Sequence, residues 1–271
     1  MKSFVKDKAG IYVSGESYKI NYPDEHRQIS TDYDEESFWF KHRNNVISEV
    51  IKKMRQSGNF VDIGGGNGLQ AAFIQKEFPD KYVAMIEPGY KGCLTAAKRG
   101  VKYVYNSLFQ DFDFKGFNTS MVGLFDVVEH IEDDARFLRE LSAKLQTGNI
   151  ILMTVPAYNF LWSELDHYAV HCRRYNKRMV HELAGKSGLK IRYFSNFFSY
   201  LIPLTLFFRT IPYKIRGKRS DDKIIAMESK HHKANYLVNK LFAFLGFLEM
   251  FFIRKSSCAF GTSIIVAFEI P

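Results

Sequence analysis

Cysteine is scarce in this chain. Its three residues, Cys93, Cys172 and Cys258, stand far apart and form no C-x-x-C pair. That spacing excludes a disulfide framework and a cysteine-based zinc site, so no metal is expected, and a reducing cytoplasm fits best. Long apolar runs are missing as well. Residues 197–208 and 241–253 are apolar, but a bilayer span needs about 20 such residues, so no transmembrane helix is expected. The first ten residues carry three lysines and no apolar stretch, unlike a signal peptide. Repeats and low-complexity segments are absent. Acidic residues are outnumbered, 29 against 38 basic, which leaves a net charge of +9. Such a balance favours an anionic partner (lipid headgroup, nucleic acid or phosphorylated substrate) or serves only to keep a basic surface solvated.

What is present is a globular composition, 46% hydrophobic and 25% charged, in a length that suits one large, elaborated domain. Residues 1–57 are polar and aromatic, with Tyr12, Tyr18, Tyr22 and Tyr33, and read as an N-terminal helical cap. Phe38, Val46, Ile47, Val50, Ile51 and Met54 recur at helical spacing, which predicts a helix over 35–54. From 58 to 195 short apolar runs alternate with amphipathic ones. Strands are expected at 59–63, 82–86, 101–105, 121–125, 149–155 and 190–194. Helices are expected at 68–77, 91–99, 133–145 and 177–187. This rhythm implies a parallel sheet covered by helices on both faces. It breaks at 196–261, an apolar and basic helical insertion, and 262–271 supplies a last strand.

The first strand runs into Asp62-Ile63-Gly64-Gly65-Gly66-Asn67-Gly68. Glycines there permit unusual backbone angles and close approach of a ligand to the main chain. A dinucleotide site needs G-x-G-x-x-G. Gly64 and Gly66 fit its first two positions, but Leu69 occupies the third and Gly68 lies one residue too early. The spacing disfavours a nicotinamide oxidoreductase and suits S-adenosylmethionine, which has no pyrophosphate. Glu87, at the end of the second strand, is placed to accept hydrogen bonds from both ribose hydroxyls.

The run from Phe60 to Gly68, then Glu87, then Gly123 to Ile131 resembles the class I S-adenosylmethionine-dependent methyltransferase superfamily. The likeness is strongest to the branch of type 11, 12 and 23 methyltransferase domains. Phe38, Trp39, Phe40 and Arg43 match an early aromatic motif of that branch. Pro156, Leu161, Trp162, Ser163, Asp166, His171, Arg173, Arg174 and Tyr175 match a motif after its fifth strand. The resemblance covers about residues 35–195 and the last strand. It implies a Rossmann-like fold with a seven-stranded, mostly parallel sheet, S-adenosyl-L-methionine as cofactor and S-adenosyl-L-homocysteine as product. Asp62 and Gly64 would then meet the methionine end, Gly66 and Gly68 would let the loop pass the cofactor, and Glu87 would bind the ribose. Ser107 and Leu108 would lie beside the adenine, with serine where many relatives have an acid. Phe125 and Asp126 would line the cofactor near its sulfonium, and Arg43 would pair with its carboxylate.

Methyl transfer is an in-line displacement in which positioning dominates; an oxygen or nitrogen acceptor also has a proton to lose. His130 is the candidate base, or else packs the following helix. His171 is the second catalytic candidate, and Asp166, Arg173 and Trp162 in the same loop are candidate substrate contacts. In the insertion, a helix over 235–253 is apolar apart from a stripe at Asn235, Asn239, Gly246 and Glu249, and must be buried somewhere. It would pack on the insertion's other helix, in a homodimer or at a membrane interface, where the basic linker 209–219 suits anionic headgroups. A small-molecule or lipid-like methyl acceptor is the leading expectation. A non-catalytic cofactor-binding protein at a membrane or partner surface is a second. A nucleic-acid methyltransferase ranks lower, because the chain has no Asn-Pro-Pro-Tyr-like or Pro-Cys motif after strands four or five.

Overall fold

The computed structural model describes residues 3–14, 37–217 and 236–271. Tyr18, Tyr22, Tyr33, Glu35, Lys218, Arg219 and Asn235 lie outside these. Seven strands form the expected core: β3 (Asn59–Ile63), β4 (Val83–Ile86), β5 (Tyr103–Asn106), β6 (Thr119–Phe125), β7 (Ile150–Pro156), β8 (Lys190–Phe197) and β9 (Ser263–Glu269). Two short strands near the start, β1 (Val5–Lys6) and β2 (Tyr12–Val13), extend the sheet to nine, in the order β1-β2-β5-β4-β3-β6-β7-β9-β8. The run β5-β4-β3-β6-β7 is parallel, and β9 lies antiparallel between β7 and β8.

The β1–β2 hairpin corrects the expectation of a purely helical cap. Its turn is local: Asp7 Oδ1 accepts from the Ala9 and Ile11 amides, and Gly10 takes a left-handed φ of 81°. Tyr12 then stacks on Tyr105 at 4.6 Å, which carries the hairpin onto the sheet edge. An edge pairing two residues long has no periodicity to detect.

Helices α1 (Phe38–Met54), α2 (Leu69–Glu77), α3 (Tyr90–Lys98), α4 (Asp134–Ser142), α5 (Glu164–Tyr168) and α6 (Lys177–Ser187) cover the sheet. Ser37 caps α1 by accepting from the Phe40 amide, and Val46, Ile47, Val50 and Ile51 bury its inner face. On one side of the sheet Val122, Leu124, Ile151 and Met153 pack with Leu138 and Leu183 from α4 and α6. On the other, Phe60, Met85 and Met121 pack with α1 and with Ile74 of α2.

The insertion departs from expectation in two ways. The described part of the segment read as a basic linker is helical up to Arg216: Ile202–Thr205, a π turn at Leu206–Thr210 and Ile211–Arg216 follow one another. Pro203 and Pro212 sit in first turns, where a missing N–H costs nothing. Helix α7 (Tyr236–Lys255) is turned inside out. Its inward face is Gly246, Glu249, Met250 and Ile253, all buried, while Leu241, Phe244, Phe247, Phe251 and Phe252 are exposed. From the expected polar stripe, Gly246 and Glu249 face the protein. Glu249 is 4% exposed and gathers four donors: His42 Nε2 at 2.6 Å, the Phe198 amide at 2.7 Å, the Ser199 amide at 2.6 Å and Ser199 Oγ. Gly246 lets α7 approach α1, since a Cβ there would stand 2.7 Å from His42 Nδ1. Burial alone would raise the Glu249 pKa, but its bonds from His42 and Ser199 outweigh that and lower it. Among the described residues no helix is long and apolar enough to cross a membrane.

Glu249→Ala strands these buried donors together. Unfolding in urea is expected to show a loss of about 3–5 kcal/mol; a loss below about 1 kcal/mol would show that α7 is not anchored through this carboxylate.

Candidate functional site

The turn from β3 into α2 is left-handed at three glycines: Gly64, Gly66 and Gly68 have φ of 71°, 56° and 80°. Space as well as φ excludes side chains from most of this turn. A Cβ on Gly64 would meet Val127 at 2.8 Å, one on Gly65 would meet Met85 at 2.4 Å, and one on Gly68 would meet Ala96 at 2.5 Å. Gly66 alone in the turn faces open space, with nothing within 4 Å of its Cβ position. The turn therefore presents bare backbone outward at Gly66, at the carboxyl ends of the parallel strands.

Glu87 stands behind that backbone. It is 3% exposed, and its carboxylate accepts from the Gly66 amide at 3.0 Å and the Gly89 amide at 2.6 Å. The acid expected to receive a ribose thus also ties the glycine loop to the start of α3. Asp62 is buried, and neither of its carboxylate oxygens has a hydrogen-bond partner. Burial, opposed by Arg43 and reinforced by Glu87, pushes its pKa up to about 8. Ser107 is buried with Oγ unpartnered, and Leu108 beside it is exposed.

Arg43 does not stand open to receive a carboxylate. Its guanidinium binds Asp126 at 2.6 Å, donates to Thr154 Oγ1 at 3.3 Å and lies over the Trp39 ring at 5.1 Å. Thr154 Oγ1 in turn donates to Asp126 Oδ1 at 3.0 Å. This triangle ties α1 to the ends of β6 and β7. Phe125 points away from the ligand edge, stacked on Phe60 in the core, so only its backbone reaches that edge. Asp126 is next, in a left-handed conformation with φ 57°.

The loop after β7 gives its three expected substrate contacts partners within the protein. Asp166 is fully buried. It receives His171 Nδ1 at 3.0 Å, Arg174 Nε at 2.7 Å, Arg174 Nη2 at 2.9 Å and the Ser163 amide at 2.8 Å. Burial works against its charge, but His171 and Arg174 outweigh it and hold its pKa near about 2. Asp166 is therefore a hub that orients His171, with no capacity left for substrate. Arg173 is spent on Asp134 at 2.6 Å and the Glu132 carbonyl at 2.6 Å. Trp162 donates to His167 Nε2, which also meets the Tyr213 hydroxyl at 2.8 Å, so this side chain ties the loop to the 211–216 helix.

The two expected catalytic histidines do meet: the His130 and His171 rings are 4.9 Å apart. Burial, and then the neighbouring His171, lower the His130 pKa to about 4. His130 is thus neutral near pH 7 and a weak base. Glu129 lies with them, fully buried, and neither carboxylate oxygen has a hydrogen-bond partner. Its pKa is raised, by burial first and by Asp126 second. In the sequence Glu129 stands beside His130, where it could at most orient that histidine or cap the following helix. The loop after β7 closes over this turn, with the Cys172 amide donating to the Glu129 carbonyl at 2.7 Å, a contact between distant segments that the sequence does not display.

The family described as a methyltransferase domain matches residues 39–193. No curated protein matches the chain in sequence. Solved structures do match in fold. A SAM-dependent methyltransferase of Thermotoga maritima is 14% identical, with TM-score 0.53 over 90% of this chain and 97% of that one. The plantazolicin methyltransferase BpumL, in complex with a pentazolic desmethyl analogue and S-adenosylhomocysteine, is 13% identical, with TM-score 0.56 over 91% of each chain. Phosphoethanolamine N-methyltransferase 2 of Haemonchus contortus, in complex with phosphomonomethylethanolamine and S-adenosylhomocysteine, is 16% identical, with TM-score 0.51. That match covers 84% of this chain, which spans about half (52%) of the Haemonchus protein. At these identities the likeness is one of fold.

Asp62 carries a pH prediction. Its folded pKa is raised, so its contribution to stability is complete below the unfolded value near 3.8 and is lost as pH rises through about 8. The lowered His130 pKa acts oppositely, but only below about 6.5. Between pH 6.5 and 8 the protein is expected to lose about 2 kcal/mol through Asp62. Asp62→Asn should make that slope shallower in urea titrations by Asp62's share, leaving the part from Glu129, whose pKa burial also raises; an unchanged slope would mean that Asp62 is ionised in the fold.

Proposed function

The chain belongs to the methyltransferase-domain family, and from that membership we propose that it transfers the methyl group of S-adenosylmethionine to a small, lipid-like acceptor. The observation that carries the cofactor half is the left-handed glycine turn, bare at Gly66 and backed by Glu87. In this reading the ribose hydroxyls bond to the Glu87 carboxylate, the acid beside the bare turn at Gly66. The methionine end lies against Gly64 and Asp62, and the adenine beside Ser107 and Leu108. Asp126, held by Arg43, borders the sulfonium. The acceptor presents its reactive group to the cluster of Glu129, His130 and His171, while the protein's main contribution is alignment of the two reactants.

The lipid-like half rests on α7. Phe244, Phe247, Phe251 and Phe252 are exposed on its outer face, with Lys240, Arg254 and Lys255 on the same helix. Phe207, Phe208 and Ile215 are exposed on the 202–216 segment, near Lys214 and Arg216. Each such side chain gains about 1.5–3 kcal/mol on leaving water, and monomeric soluble proteins rarely leave so many together. Apolar side chains mixed with basic ones describe peripheral contact with an anionic bilayer.

Calorimetry with S-adenosylhomocysteine should give one site per chain. Glu87→Ala should weaken it at least 10-fold, and NADH should not bind. No heat with S-adenosylhomocysteine contradicts the cofactor assignment, and heat with NADH in its place returns the oxidoreductase. The membrane half has its own check. The protein should sediment with vesicles rich in anionic lipid, and Phe247→Ser/Phe251→Ser should lower that partition at least 10-fold. A discrete dimer on gel filtration that ignores vesicles would assign the outer face of α7 to a second copy instead.

A further inference from the structure

Beside the end of β6, Glu129, His130 and His171 bring a carboxylate oxygen and two ring nitrogens within 4.8 Å of one another. Sequence spacing gave no hint of a metal, because that expectation rested on cysteines and this cluster has none. Two observations distinguish the cluster from three polar residues that happen to be close.

The first is Glu129. Its side chain is 0% exposed and neither carboxylate oxygen has a hydrogen-bond partner. A buried carboxylate without donors is costly unless a proton or a cation joins it. The charged groups around it do not supply one. Asp126 and Asp166 add negative charge, and Arg43 is already paired with Asp126 at 2.6 Å. The second is His171. Asp166 already accepts from Arg174 Nε, Arg174 Nη2 and the Ser163 amide, so it faces His171 Nδ1, 3.0 Å away, as an acceptor, and His171 donates to it. That leaves the lone pair on Nε2. Arg174 and Ser163 hold Asp166 in turn, so the imidazole is oriented by a rigid carboxylate. Metal-bound histidines are commonly braced by a carboxylate in this way.

We infer that Glu129, His130 and His171 form a site for a first-row divalent cation of the zinc type. Two imidazoles and one carboxylate are a donor set that such ions take, and three protein ligands leave a fourth position open. Tetrahedral bonds of about 2.0–2.1 Å place donor atoms roughly 3.3 Å apart, so the cluster has to contract by up to about 1.5 Å. The purpose of the site rests on the methyltransferase reading; the binding itself does not. An acceptor hydroxyl in the open position would lose its proton to solvent. Its oxygen would then form the new bond to the methyl carbon, while the carbon–sulfur pair returns to sulfur. With the cation in place, His171 would serve as a ligand, and the cation would lower the pKa of the acceptor hydroxyl so that water can take its proton.

The test uses the full chain, stripped with chelator, carrying His231→Ala/His232→Ala to remove an adjacent histidine pair that could bind metal adventitiously. Calorimetry with zinc chloride should show one ion per chain, and cobalt(II) should give the visible absorption of a low-coordinate nitrogen–oxygen site. Glu129→Gln and His171→Ala should each weaken zinc binding at least 10-fold, and Asp166→Asn by about 10-fold. His181→Ala, on the exposed face of α6, should leave it unchanged. Absence of the cobalt spectrum, which needs no further variant to fold, overturns the site. So does zinc binding that survives both Glu129→Gln and His171→Ala. S-adenosylhomocysteine titrated into the same samples keeps the two readings apart. Cofactor binding without metal binding sinks only the metal site, and metal binding without cofactor binding supports the site while sinking the methyltransferase reading.

Discussion

Backbone must pass from the end of β3 into α2 while leaving room for a ligand on one side and a packed core on the other. Gly64, Gly66 and Gly68 meet that demand with left-handed angles that L-residues with side chains adopt only at a cost. The crowding is on the core side, where Val127, Met85 and Ala96 would meet added Cβ atoms, and the open side is at Gly66. Glu87 then fixes the turn by accepting from Gly66. Everything placed at the ligand edge follows from this turn: Arg43 and Asp126 close one flank, and the loop after β7 closes another.

Much of this was legible in the sequence because its signals are local. Strand and helix alternation, the glycine run and Glu87 are each contained within a few residues, and all seven core strands stand close to where the apolar pattern put them. What was not legible depends on contacts between distant segments. Asp166 looked like a substrate contact because an acid in a post-strand loop has no visible partner in one dimension. In three dimensions Arg174, His171 and Ser163 consume it. Arg173 goes to Asp134 for the same reason, and Phe125 turns into the core because Phe60 lies beside it. The hairpin at the start was too short for any periodicity.

Helix α7 shows the limit most clearly. Its apolarity demands burial, and its polar stripe reads as the solvent face. The order is reversed because Glu249 is the acceptor for the turn at Phe198 and Ser199 and for His42. A buried carboxylate needs donors, and Glu249 finds four of them on the inward side, which leaves the phenylalanines outside. If the acceptor is lipid-like, as proposed, the exposed phenylalanines of this helix and the buried polar cluster would suit a molecule with an apolar body and one reactive polar group.

The most direct measurement is transfer of labelled methyl from S-adenosylmethionine into a total lipid extract, followed by separation of organic and aqueous phases. The account predicts protein-dependent label in the organic phase and a matching yield of S-adenosylhomocysteine. Label confined to water-soluble products or nucleic acid would contradict the lipid-like acceptor, and cofactor binding without transfer to any fraction would contradict catalysis itself.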